Sequence, residues 1–317
     1  MTAAAEIAPF RIRLRRLLGV GLVIFPLVAR AAPFEIEEIK LPPLRILGQP
    51  ATAHSQGLEI VNGTYYVTAR REDVTPRRAL LLRTAPDKLN WDVWDITPEA
   101  VPAAKRLLDH PGGMQSDGER LWIPVAESRR NGRSVIRVFP LTALVAGRKP
   151  TPEFEFSVND HIGAIAVAAR LRLVVGASWD TEAVYVWDLE GRMKQKLTGA
   201  ALASRGLGTV TDGKGRSGVT VQDWKFDDDR LCASGLFRSP GSSVTPPASR
   251  WQSFDRFLEP SCKPQVATVP RLGTTELARE GMAISAGVIH FLPNDLGASN
   301  RIYRVPQFEL LMRGGVR

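Results

Sequence analysis

Four histidines occur in the 317 residues, and three of them recur at a near-regular interval. His54, His110 and His161 are separated by 56 and then 51 residues, and a glycine follows each within three positions. An imidazole titrates near neutral pH and binds transition metals. Three of them brought together could act as general acids and bases, or could hold a divalent metal such as zinc or manganese. Polar residues accompany them. Asp109 and Asp160 immediately precede two of the histidines, where a carboxylate could accept the second ring N–H. Gln115 follows in the stretch DHPGGMQSDGERLWIPVAE, and Gln56 lies two residues after His54. The candidate site is therefore His54, His110 and His161 as catalytic groups or metal ligands, with Gln56, Asp109, Gln115, Asp160, Gln222 and Glu280 as ligand-binding groups. A structural alternative stands beside it: histidines at a repeated position could simply bond carbonyls of a neighbouring element.

Those residues need elements that bring them together. Period-2 alternation dominates the chain, which reads as all-β. From His54, a β-rich run begins about eleven residues later at Tyr65; the same offset from His110 reaches Leu121, and about ten residues from His161 reach Leu171. Fainter copies start at Thr220 and Ala278, so that Gln222 and Glu280 fall where Gln56 does. Each copy has a turn (Asn62-Gly63, Asp117-Gly118, Ala169-Arg170, Asp227-Asp228-Asp229, Ser285-Ala286-Gly287), then a third strand, then a candidate fourth. The fourth strands are Trp91–Ile96, Phe154–Val158, Arg192–Leu197, Gln265–Val269 and Phe308–Met312. A four-stranded sheet cannot bury both faces alone, and radial stacking solves this. The chain thus predicts a single β-propeller of five four-stranded antiparallel blades. Residues 34–39 would pair with the last blade and close the ring. Six blades follow if Thr198–Gly218 hides a degenerate copy. Rotational equivalence then carries the three histidines to one end of the central axis, with Gly57, Gly112, Gly113 and Gly163 allowing close approach. His290, on a second strand, reads as a packed histidine.

The N-terminus carries a different signal. Arg11, Arg13, Arg15 and Arg16 precede the apolar run 17–29, and Ala29-Arg30-Ala31 is a small-x-small cleavage pattern, so residues 1–31 read as a signal peptide and 32–317 as the mature propeller. The protein is then periplasmic or secreted and meets a membrane only during export. Loss of residues 1–31 would lower the net charge from +9 to about +5. No basic stripe interleaves with aromatics, which excludes nucleic acid as a partner. In an exported chain Cys232 and Cys262 could form a disulfide; two separate buried thiols are the alternative. Asp227-Asp228-Asp229 reads as a turn rather than a calcium loop, and Gly206–Gly218 lacks the context of a phosphate loop. No Gly-x-Ser-x-Gly, Cys-x-x-Cys or His-Glu-x-x-His motif occurs.

The motifs HSQGLEI, DHPGGMQSDGERLWIPVAES and NDHIGAIAV resemble a family of exported bacterial propeller proteins of unknown function, over about residues 45–310. More distantly the layout is similar to gluconolactonase and strictosidine-synthase-like propellers, whose axial metal is held mainly by Glu, Asn and Asp where this chain has His. A His-rich axial site with a Gln looks more like that of oligogalacturonate lyase. The resemblance implies export, a propeller and an axial site. The expected function is a metal-dependent hydrolase or lyase acting on a small or sugar-like substrate, and the alternative is a non-catalytic binding or scaffold propeller of the cell envelope.

Overall fold

The computed structural model describes residues 35–99, 107–207, 210–211, 216–238 and 248–314. The expected signal peptide lies outside these residues, as does most of the Ser239–Arg250 loop. The described residues form five antiparallel blades of four principal strands, arranged as a five-bladed propeller. Blade one is His54–Val61, Thr64–Arg71, Arg78–Thr84 and Asp92–Asp95. Blade two is Leu108–Pro111, Arg120–Glu127, Ser134–Pro140 and Phe154–Val158. Blade three is Ile162–Ala168, Leu173–Ser178, Ala183–Trp187 and Met193–Thr198. Blade four is Arg216–Asp227, Arg230–Arg238, Ala248–Phe254 and Gln265–Thr268. Blade five is Gly281–Ser285, Val288–Leu292 and Asn300–Pro306, with Glu37–Leu41 paired outside them.

The turn chemistry read from the sequence does its work here. Asn62 and Gly63 adopt φ of 50° and 75°, and Ala286 and Gly287 adopt 50° and 72°. Two successive left-handed residues make the tight hairpin whose twist matches the flanking strands. The third-blade hairpin turns slightly later than expected, with Arg172 at φ 51° and the second strand starting at Leu173 rather than Leu171.

Burial falls from hub to rim. The first two strands of blade one are buried at five consecutive positions, whereas Phe154–Val158 alternates and Met193–Thr198 is mostly exposed. Consecutive burial means both faces are covered, as required of a blade sandwiched between neighbours. Five hydrophobic clusters fill the five gaps. Tyr66, Leu81 and Trp94 of blade one meet Leu121, Ile123 and Phe139 of blade two. Trp122 and Ile136 meet Ile165 and Trp187 of blade three. Ala166 and Val184 meet Trp224 and Phe254 of blade four. Trp251 meets Met282 and Tyr303 of blade five, and Ala283 and Ile302 meet Leu58 and Leu82 of blade one.

Three expectations are corrected. Phe308–Met312 is not a strand: Gln307–Gly314 is a helix. The outer edge of Asn300–Pro306 is already taken by Glu37–Leu41, so the chain turns after Pro306 and buries Leu310 against the blade-five cluster. The described part of Thr198–Gly218 holds a short helix, Ala200–Ala203, and no sixth blade. Cys232 and Cys262 are free and buried. They sit in different clusters on opposite faces of blade four, and the Cys262 thiol donates to the Asp255 carbonyl at 3.0 Å.

The inner strands touch at the hub. A Cβ built on Gly112 would lie 2.2 Å from the Gly163 carbonyl oxygen, which is backbone and cannot swing aside. A Cβ on Gly163 would meet nothing closer than 4.0 Å, so Gly163 is small for another reason than crowding. Gly112→Ala is therefore expected to destabilise the protein by about 3 kcal/mol or more, while Gly163→Ala stays within about 1 kcal/mol of wild type. Urea unfolding of the two variants side by side checks this; equal losses would mean that the hub contact is not tight.

Candidate functional site

Three inner strands carry the same irregularity at the same place. The register slips between Ser55 and Gly57, between Ile162 and Ala164, and between Val221 and Asp223. The extra, unpaired residues are Gln56, Gly163 and Gln222. A bulge of this kind bends the strand and re-aims its side chain. All three residues line one cavity of about 250 Å³. His54, His110, His161, Thr220 and Glu280 line it too, with Ser178, Trp179 and Asp180 from the end of blade three's second strand. The rotational argument thus brings together six of the nine candidate residues.

Each imidazole has one nitrogen claimed by the protein. His54 Nδ1 lies 2.7 Å from Asp295 Oδ1, so its N–H donates to the carboxylate. His110 Nδ1 is 2.7 Å from an Arg70 Nη, and a guanidinium can only donate. His110 therefore accepts at Nδ1 and, when neutral, carries its proton on Nε2. His161 Nδ1 is 2.7 Å from the Glu127 carbonyl oxygen, which can only accept, so its proton is on Nδ1 and Nε2 keeps a lone pair. The two rings lie 5.1 Å apart and tilted, one ready to donate and the other to accept.

Burial keeps both rings neutral. It holds His110 well below the usual 6.5, and charge on His161, Arg70 or His54 pushes the same way. Burial also lowers His161, against the opposing pull of the Glu127 carbonyl and Asp160. Glu280 shifts in the complementary sense. Burial raises its carboxyl to about 8 despite Arg279, whose Nε is 3.5 Å away, and Asp295 adds to the rise. At neutral pH the cavity therefore holds a protonated carboxyl next to uncharged imidazoles.

Residues 47–205, half of the sequence, match a family described as a family of unknown function (DUF6454). The chain belongs to this family. Comparison with curated proteins gives no match. Among solved structures the chain is similar to an endo-arabinase from Bacteroides thetaiotaomicron, with 11% identity over 84% of this chain and 97% of that one, TM-score 0.49. It is also similar to an α-L-arabinofuranosidase from Podospora anserina solved with cellotriose, at 9% identity over 84% and 94%, TM-score 0.47. A nidogen/laminin complex shows 10% identity over 75% and 72%, TM-score 0.43. Values this low say nothing of substrate or mechanism. The DUF6454 match spans His54, Gln56, His110 and His161, while Gln222, Glu280 and Asp295 lie beyond it.

Three candidates of this DUF6454 chain do not line the cavity. Asp109 accepts from the Ser128 hydroxyl at 2.9 Å, and that hydroxyl in turn accepts from Arg70, so Asp109 reaches His110 only through intermediaries. Asp160 accepts from the His161 backbone N–H and from the Tyr185 hydroxyl, both at 2.8 Å. Gln115 is a clasp between blades. Its carbonyl oxygen accepts from the Val167 and Phe226 N–H groups at 2.9 and 2.8 Å, and its amide donates to the Phe226 carbonyl at 2.7 Å. His290 is packed as expected: its ring is 5.9 Å from Tyr65, its Nδ1 has no hydrogen-bond partner, and burial lowers it to about 4.

The sequence reading missed Arg70, Asp295 and the hub ion pair. Arg70 is legible in retrospect, since the register pairs it directly with His54 across the hairpin. Asp223 follows the bulge residue Gln222 where blades one and five have Gly57 and Gly281. Its side chain fills the axis, accepting from Leu58 N–H at 3.2 Å, Met282 N–H at 2.9 Å and Trp224 N–H at 2.9 Å. Lys225 Nζ donates to it at 2.7 Å and to the Met114 carbonyl at 2.7 Å. Blades one, two, four and five are tied at this point. Glu59 is buried nearby, and burial raises its carboxyl to about 7.

The donor set fits a three-imidazole metal poorly. A metal on His110 would need the Nε2 lone pair, which requires a proton to leave that nitrogen while Arg70 holds Nδ1. It would also place a second cation beside the guanidinium. Among the described residues no group of three or more His, Cys, Asp or Glu is arranged to hold a metal ion.

Proposed function

We propose that this exported propeller is an enzyme whose axial cavity performs acid–base chemistry, as a hydrolase or lyase, on a small sugar-like substrate. The observation that carries this reading is a complementary pair in one cavity: His54 oriented by Asp295 at 2.7 Å, and Glu280 holding its proton near neutral pH. A buried carboxyl raised toward the working pH is the usual general acid, and an imidazole fixed by a carboxylate is a competent base. In hydrolysis, His54 Nε2 takes a proton from water as the hydroxide attacks, and Glu280 gives its proton to the departing oxygen. The proton on His54 then returns to Glu280. In elimination, His54 takes a carbon-bound proton and Glu280 again protonates the leaving group. Export is supported by the arginine-then-apolar order of residues 11–31.

The test is turnover of a panel of aryl glycosides, aryl esters and lactones. An active substrate should show an alkaline limb near pH 8, absent in Glu280→Gln, and His54→Ala should lower kcat/KM about 100-fold. Binding of a ligand with no turnover of any member would favour the binding-propeller alternative. Stoichiometric zinc or manganese, lost on His161→Ala, would replace the acid–base reading with the metal-dependent one.

A further inference from the structure

We propose that the cavity takes an uncharged polyhydroxy compound of about monosaccharide size, with His110 donating to one hydroxyl and His161 accepting from its neighbour. This rests on the cavity being the functional site, and it adds the charge and the hydrogen-bond pattern of the ligand. No Lys or Arg lines the cavity among the described residues. Two cations close behind its wall are committed elsewhere. Arg70 gives Nε and one Nη to Glu72 and its other Nη to His110 and Ser128. Arg130 is paired with Asp180 and Glu182. An anion in the cavity would meet no guanidinium or ammonium in its lining, whereas the imidazoles and amides there offer hydrogen bonds to neutral groups.

The groups that do face the cavity suit hydroxyls. A hydroxyl both donates and accepts, so it is best met by a wall that offers both. His110 supplies a fixed donor and His161 a fixed acceptor, their rings 5.1 Å apart, close enough to reach oxygens on adjacent carbons at about 2.8 Å each. Gln56 and Gln222, projected by equivalent bulges, add an amide donor and acceptor from two further blades. A volume of about 250 Å³ has room for one sugar ring and little more. Arg70 is then a positioning residue: it touches no ligand, but its donation to Nδ1 is what places the His110 proton on the cavity side.

The experiment uses the full-length protein labelled with 15N-histidine. D-glucose, D-galactose, L-arabinose and myo-inositol are titrated against D-galacturonate, D-glucosamine and inorganic phosphate, read by calorimetry and by the ring nitrogen shifts of His110 and His161. At least one neutral compound should move both rings and bind at least tenfold more tightly than any charged one. Arg70→Met should weaken that binding at least tenfold and shift the His110 proton between its two nitrogens, an effect that lost packing alone would not produce. Gln56→Ala, which breaks no ion pair, should weaken it severalfold and serves if Arg70→Met does not fold. A charged compound binding as well as the neutral ones and moving the same resonances would overturn the ligand class while leaving the cavity as the site. No compound moving either ring would overturn both.

Discussion

Asp223→Ala lowers the stability of the folded protein by about 3–5 kcal/mol, enough to leave a domain of ordinary stability barely folded. The reason is the axial position of the carboxylate. Asp223 and Lys225 are 0% and 1% exposed, and their 2.7 Å contact lies at the meeting of four blades. Removing one partner of a buried pair leaves the other charge uncompensated, which costs more than the pair contributes when intact. The alanine also strips the acceptor from the Leu58 and Met282 N–H groups, which have no water to turn to. Lys225→Met should be milder, because Asp223 keeps three backbone donors. Urea unfolding of both variants decides it; equal and small losses would show that the hub is solvated.

Glu280→Gln stabilises the protein at alkaline pH by up to about 5 kcal/mol and changes little below pH 4.5. The folded carboxyl sits near 8 and the unfolded one near 4.5, so between those values the unfolded chain has given up a proton that the folded one retains. Stability associated with the protonated group is complete below 4.5, drains away as pH rises toward 8, and is flat above. Glutamine removes that slope. Below pH 4.5 the profile should be unchanged by the substitution; between 4.5 and 6.5 the histidines act in the opposite sense to Glu280, so removing the carboxyl leaves their limb steeper. His290 is depressed to about 4, and His110 and His161 are lowered as well, so their contribution is present above 6.5 and is lost as pH falls below it. Unfolding free energies at pH 4.5, 6.5 and 9 test both limbs; an unaltered alkaline slope in Glu280→Gln would mean that the carboxyl is solvated and ionised.

The repeat made much of this legible. Asn62-Gly63 announced its hairpin because few other residues accept two left-handed positions, and the fixed distance from each histidine to the next β-rich run placed the inner strands. Rotational equivalence then placed His54, Gln56, His110, His161, Gln222 and Glu280 at one cavity. What it could not give was what each blade adds on its own. Asp295 lies in the loop between the second and third strands of blade five, away from the repeated histidine position, and Asp223 breaks a pattern of small residues at the hub. Gln115 looked like a site residue because polarity and proximity to His110 do not reveal which way a side chain points. Phe308–Met312 carried a strand's composition, but the edge it would have joined was occupied by a segment more than 260 residues away.

Ring nitrogen shifts of the 15N-labelled histidines, assigned with His54→Ala, His110→Ala and His161→Ala, test most directly whether three blades present their imidazoles to one cavity in a divided protonation state. At pH 7 His110 should carry its proton on Nε2 and His161 on Nδ1, with neither ring taking a second proton around 6.5, where an unshifted imidazole does. Rings that titrate together near 6.5 with mixed, solvent-like tautomers would contradict the account.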